Sequence, residues 1–252
     1  MSGHSKWHTI KNAKGAADAK RGQLFTKLSR EIIFAARSGG GNPDGNSRLR
    51  LAIQKAKDAS MPGDNIERAI KKGEGALEGQ VMFEATYEGY GPGGSAIMVD
   101  IVSDNRNRAV QELRSAFTRA GGNLGETGSV AWMFESRGVI GVMAGGKDID
   151  DFTMKAIDAG AEDVNPQGDY VEIYTKPAEL EMVRKALEKQ GMTIESAELA
   201  KVAKITVSLD EHTTFQVLRM LDRLEEMDDV QNVYHNVELS DEMMEKFQAQ
   251  AK

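Results

Sequence analysis

Residues 139–200, VIGVMAGGKDIDDFTMKAIDAGAEDVNPQGDYVEIYTKPAELEMVRKALEKQGMTIESAELA, decide the fold. Val139–Met143 reads as a strand and Asp148–Ala159 as a helix. Strands follow near Val164 and at Tyr170–Tyr174, then a helix at Ala178–Gln190 and a strand within Thr193–Ala200. The β-rich runs carry Val, Ile and Tyr, and the helical runs carry apolar residues at three- and four-residue spacing. The resulting order, β-α-β-β-α-β, is ferredoxin-like.

A second set of elements surrounds this stretch. Phe83–Tyr90 alternates as a strand, Gly91-Pro92-Gly93-Gly94 makes a turn, and Ala96–Val102 is a second strand. Asn105–Ala120 is a helix with Val110, Leu113, Phe117 and Ala120 as its apolar stripe, and Ser129–Phe134 reads as a third strand. After the central stretch come a strand at Ile205–Leu209, a helix at Thr213–Met227 and a strand at Val230–His235. The simplest packing returns these last elements to the earlier ones. The expected fold is therefore α+β and multidomain: an N-terminal three-helix domain, then two ferredoxin-like α/β domains, one inserted in the other. The expected bounds are 1–78 for the helical domain, 79–136 with 203–240 for the discontinuous domain, 137–202 for the insertion, and 241–252 for a polar tail.

The helical domain opens with Ala16–Arg37. Winding this segment places Leu24, Phe25, Leu28, Ile32, Ala35 and Ala36 on one face. Lys20, Lys27, Arg30 and Arg37 fall on another, and a basic stripe of this kind is suited to following a phosphate backbone or to facing solvent. The loop Gly39–Gly45 ends the helix. Ser47–Ala59 follows, with Leu49, Ala52, Ile53 and Ala56 flanked by Arg48, Arg50, Lys55 and Lys57. Asp64 and Glu67 have the spacing of a capping box for a third helix that Gly73 stops, with Lys71 and Lys72 at its negative end. Ahead of these helices, Trp7 sits among Lys6, Lys11 and Lys14, placed to stack on a base or to anchor on another domain.

Charge separates the two parts. Residues 1–77 hold 15 Lys and Arg against 7 Asp and Glu, a net of +8, while the other 175 residues net −15. A basic module on an acidic body points to a polyanion partner, because cations that neutralise phosphates release counterions. The candidate nucleic-acid-binding residues are Lys6, Trp7, Lys11, Lys14, Lys20, Lys27, Arg30, Arg37, Arg48 and Lys55.

Other chemistry finds little support. The chain has no cysteine, so disulfides, thiol nucleophiles and Cys-based zinc sites are excluded, which fits a reducing cytoplasm. No apolar run reaches membrane-spanning length and no secretory leader is evident. Gly89–Gly94 matches G-x-G-x-x-G formally, but a strand follows it rather than a helix, so it reads as a hairpin turn. His4 and His8 have helical spacing without a third ligand, and no catalytic constellation can be placed. The run Glu225, Glu226, Asp228, Asp229 reads as a solvated turn. No cofactor, metal, small-molecule substrate or membrane partner is expected, and the chain reads as a non-enzyme. Arg106 and Arg108 lie in the first turn of a helix expected to be capped by Asp104. That end already carries positive partial charge, which assigns the two arginines to recognition or interdomain pairing.

Several blocks carry a resemblance: Gly3–Trp7, Phe25–Leu28, the loop before Asn46, Met61–Lys72, Tyr87–Gly94, Asp104–Arg108, Gly128–Ala131 and Asp228–Asn236. Together they make the chain similar, along essentially its whole length, to the YebC/PmpR family. Ser103 stands where relatives usually carry Thr, and Lys201–Lys204 lacks a proline expected there. The resemblance implies a helical N-terminal domain followed by two α/β domains, one inserted in the other. It also implies a cytoplasmic, DNA-binding transcriptional regulator, or else a translation factor contacting ribosomal RNA, since related mitochondrial and bacterial proteins act at the ribosome.

Overall fold

The computed structural model describes residues 18–75, 82–146 and 148–250. Helices α1 (Asp18–Gly39), α2 (Ser47–Asp58) and α3 (Gly63–Glu74) form the N-terminal part. Their core is Ile32, Ile33, Ala35, Ala36, Leu49, Ala52, Ala56, Met61, Ile66 and Ala69, with Phe25 and Leu28 partly buried. Leu24, expected in this core, is 44% exposed. Gly73 lets α1 and α3 approach closely, since a Cβ there would lie 2.6 Å from the Ile33 carbonyl and 2.7 Å from the Ala36 Cβ. Buried Asn46 joins α1 to α2. Its Oδ1 accepts from Leu49 N as the α2 cap, and its Nδ2 donates to the carbonyls of Ala35 and Gly40 at 2.8 Å each. The capping box expected at Asp64 is absent: α3 starts after Pro62, with no side-chain cap.

The body is built from two four-stranded antiparallel sheets. The chain runs through β1 (Phe83–Tyr90), β2 (Ala96–Ser103), α4 (Arg106–Arg119) and β3 (Asn123–Leu124). It continues through β4 (Phe134–Met143), α5 (Ile149–Asp158), β5 (Asp163–Gln167), β6 (Tyr170–Thr175), α6 (Leu180–Lys189) and β7 (Ile194–Ala203). It then returns through α7 (Glu211–Glu225), β8 (Val230–His235) and α8 (Asp241–Gln250). One sheet has the order β3-β1-β2-β8, the other β5-β6-β4-β7. The spatial plan is the same. Helix α4 carries the chain from β2 past β1 to β3, as α5 carries it from β4 past β6 to β5. The second sheet is continuous in sequence and lies wholly between β3 and β8 of the first.

Each sheet buries one face under helices. Ile97, Val99 and Ile101 of β2 pack with Leu113 and Phe117 of α4 and Leu218 and Leu221 of α7. Ile140, Val142, Val171 and Ile173 pack with Phe152, Val183 and Leu187. The opposite faces meet each other through Ala96, Met98, Phe134, Val139, Tyr174, Ala200 and Tyr234. This double burial explains why Ala96–Val102 is apolar on both faces apart from Asp100 rather than alternating.

The Gly91–Gly94 hairpin turn is present, with Tyr90 opposite Ala96 and Gly93 at φ +66°. Three local expectations are corrected. Ser129–Met133 is a turn with one short 3-10 helix, Ala131–Met133, leading into β4 at Phe134, not a strand of its own; β3 is instead the two-residue Asn123–Leu124. Ile205–Leu209 makes only one bridge, Val207 to Val237. The cap of α4 is Asn105, whose side chain accepts from Arg108 N, rather than Asp104.

Candidate nucleic-acid interface

Helix α1 turns its cationic side toward the body. Lys27 donates to the carbonyl of Glu225 at the end of α7, and Arg30 pairs with Asp229 just before β8. The fully exposed stripe expected from the sequence is therefore not formed at these two positions. The helix periodicity gives a face but not what covers it.

The acidic run does form a turn with Glu226 and Asp228 exposed, but Asp229 is 5% exposed, which corrects the solvated reading at that one position. Its carboxylate accepts from Ser103 Oγ at 2.8 Å and from Arg108 Nη2 at 2.9 Å, so an arginine from the body and one from the helical part share it. Arg108 also reaches Asp104 at 2.9 Å, and Arg106 lies over the Phe83 ring at 5.6 Å. Arg108 and Asp229 both belong to the discontinuous α/β domain, so this pair is not an interdomain one; the contact that reaches Asp229 from the helical domain is made by Arg30.

Helix α2 makes two further contacts. Arg48 spans Glu31 of α1 at 2.8 Å and Glu84 of β1 at 2.9 Å. Its hydrogen bonds to Glu84, and then those to Glu31, overcome burial and raise its pKa. Lys55 reaches Glu198 of β7 at 2.6 Å. Beside this pair, Lys201 Nζ meets Asp100 at 2.6 Å and lies 5.4 Å from the ring of Tyr234. Burial, then the charges of Asp100 and Glu198, raise the Tyr234 hydroxyl and keep it neutral. Helical part and both sheets thus meet along one charged seam.

Lys6, Trp7, Lys11 and Lys14, and the side chain of Lys20, lie outside the described residues, as do His4 and His8. Arg37 is half-buried near the end of α1. The side chains of Arg21, Lys57, Lys71 and Lys72 stay exposed, with no ion-pair partner among the described residues. On α3, Lys71 and Lys72 point away from buried Ile66, Ala69 and Gly73, next to Arg68 one turn earlier. Arg68 itself folds back onto Asn65 at 2.9 Å. Sequence reasoning treats Lys71 and Lys72 only as partners of the helix dipole. It misses Glu84, Glu198 and Asp229 as partners of the helical domain, because side chains brought together from distant parts of the chain leave no local signature.

Elsewhere, a groove of about 730 Å³ between α4 and α7 holds Arg119, Arg219 and Arg223, matched by Glu112, Asp222 and Glu226, so its charge selects no polyanion. Buried Glu88 accepts N–H bonds from Gly128, Val130 and Ala131 at 2.8–2.9 Å. Burial alone raises its pKa; the three backbone donors, with the charge of Lys201, outweigh that and lower it. Its role is to fix the turn before β4. Among the described residues, no helix is long and apolar enough to cross a membrane, and no three His, Cys, Asp or Glu residues gather as metal ligands.

Comparison with known proteins agrees with this architecture. Residues 5–76 match the model of the TACO1/YebC protein N-terminal domain, and residues 82–237 match that of the TACO1/YebC second and third domain. A probable transcriptional regulatory protein of Dehalococcoides mccartyi is 62% identical over 251 residues, covering all of both chains. One from Herpetosiphon aurantiacus is 53% identical, over 99% of this chain and 100% of its own. The crystal structure of a conserved hypothetical protein from Aquifex aeolicus superposes with a TM-score of 0.82 at 51% identity, covering 89% of this chain and 93% of that one.

Proposed function

The chain belongs to the TACO1/YebC family, and on that premise we propose that it is a non-enzymatic, cytoplasmic, nucleic-acid-binding regulator of gene expression that acts on DNA through its basic helical domain. Relatives named probable transcriptional regulatory proteins support the regulatory role. The observation that carries the reading is the segregation of charge, +8 on residues 1–77 against −15 elsewhere, with Arg21, Lys57, Lys71 and Lys72 left exposed on the basic side. A polyanion is drawn to this domain and repelled by the body.

A second reading is contact with ribosomal RNA, and the chemistry of these side chains favours keeping it. Exposed lysines meet phosphates and fix position; they do not read base edges. The same surface suits a DNA or an RNA backbone. Crosslinking the protein in cells and sequencing the bound nucleic acid separates the two. Recovery of mainly promoter DNA supports the first reading, and mainly ribosomal RNA the second. Recovery of neither above a mock control rejects both.

A further inference from the structure

We infer that the acidic body occupies part of the nucleic-acid surface of the helical domain, so that docking on the body and binding a polyanion compete for Arg30, Arg48 and Lys55. The inference rests on the reading of the helical domain as the nucleic-acid module and adds how that surface is regulated.

Each of these cations ends on a carboxylate outside the helical domain: Arg30 on Asp229, Arg48 on Glu84 and Lys55 on Glu198. Arg48 engages Glu84 through both Nη atoms, the fork that also fits a phosphate. A phosphodiester chain offers the same acceptor chemistry with counterion release added.

The contacts are built for exchange. Arg48 and Glu84 are 38% and 45% exposed, and Lys55 and Glu198 are 43% and 27% exposed, so water and salt screen both pairs. Among the described residues, the apolar cluster of the helical domain runs from Phe25 to Ile70, adds Met82 just ahead of β1, and takes in no residue of either sheet. The deepest carboxylate is provided for: when Arg30 leaves, Asp229 keeps Arg108 and Ser103, both from the body. Release therefore strands no buried charge, which is the usual cost of breaking such a pair.

The test uses full-length protein with two labelled probes, a short duplex DNA and a short single-stranded RNA, at fixed low salt. Glu84→Gln with Glu198→Gln weakens the docked state and is expected to tighten binding of at least one probe roughly three- to tenfold. Unchanged or weaker binding overturns the inference. The reverse experiment exploits the absence of cysteine in this chain. Lys55→Cys with Glu198→Cys is bridged by a short bismaleimide, and the control carries the same two residues capped by N-ethylmaleimide. The bridged form is expected to bind at least about tenfold more weakly than the capped form, a change of about 1.4 kcal/mol. Equal binding overturns the competition while leaving the nucleic-acid reading intact. If neither the natural protein nor any variant binds either probe, the nucleic-acid reading itself fails, and the inference falls with it.

Discussion

Between the two sheets, Phe134, Val139, Tyr174, Ala200 and Tyr234 interlock as a buried apolar layer. Between the helical domain and the body, polar contacts run through Lys27–Glu225, Arg30–Asp229, Arg48–Glu84 and Lys55–Glu198. The first junction is buried, apolar and non-directional. The second is directional, partly wet and sensitive to salt. A single chain thus carries a pair of sheets joined by buried apolar surface and a cationic domain fastened to them by interactions that another anion can replace.

The largest test of this contrast is Phe134→Ala. Removing a ring that is 6% exposed from the layer between the sheets is expected to cost about 3–5 kcal/mol, read as a fall in urea midpoint. A loss below about 1 kcal/mol would mean the sheets are not held by this layer.

Asp229→Ala comes next. It withdraws the shared acceptor of Arg30, Arg108 and Ser103, and is expected to cost about 2–3 kcal/mol, since those cations are only partly screened. Urea denaturation measures it, and Asp229→Asn is expected to recover part of the loss by keeping the bond from Ser103.

Glu88→Gln probes the turn by which the chain passes from the first sheet to the second. The Glu88 carboxylate has its pKa lowered in the fold, so its contribution is present above the unfolded value and disappears as pH falls through the folded one. The variant is expected to lose about 1–2 kcal/mol at neutral pH. Its deficit should shrink below the ordinary glutamate range. A deficit that stays constant across the acid limb would contradict the assignment.

The smallest effect is expected for Lys55→Met with Glu198→Gln, at or below about 1 kcal/mol, because the pair is half-exposed. The difference from the natural protein should vanish at high salt. A loss as large as that of Phe134→Ala would erase the distinction between the junctions.

Much of this is legible in the sequence where local periodicity decides. The six elements of the inserted sheet and the apolar face of α2 follow from residue spacing; for α4 the spacing finds Leu113 and Phe117, but the buried face is completed by Ala109 and Ala116 rather than by Val110. Where a partner distant in sequence decides, local patterns are silent. Ser129–Met133 has strand-like residues, but Glu88 takes the N–H groups of Val130 and Ala131, and a turn results. Asp229 stands in a run of four acids yet is buried, because Arg30, far earlier in the chain, reaches it from α1. The cationic face of α1 is readable as a face; that half of it meets the body is not.

The central claim, that the helical domain carries the nucleic-acid affinity, is tested most directly by Arg21→Gln, Lys57→Gln, Lys71→Gln and Lys72→Gln together in the full-length protein. These four side chains lie clear of the charged seam and of any ion pair among the described residues. Affinity for a short duplex should fall about tenfold or more, alike across sequences. The slope of log affinity against log salt should flatten by up to about 0.9 for each phosphate left unneutralised. Unchanged affinity and unchanged slope would place nucleic-acid binding elsewhere in the molecule and contradict the account.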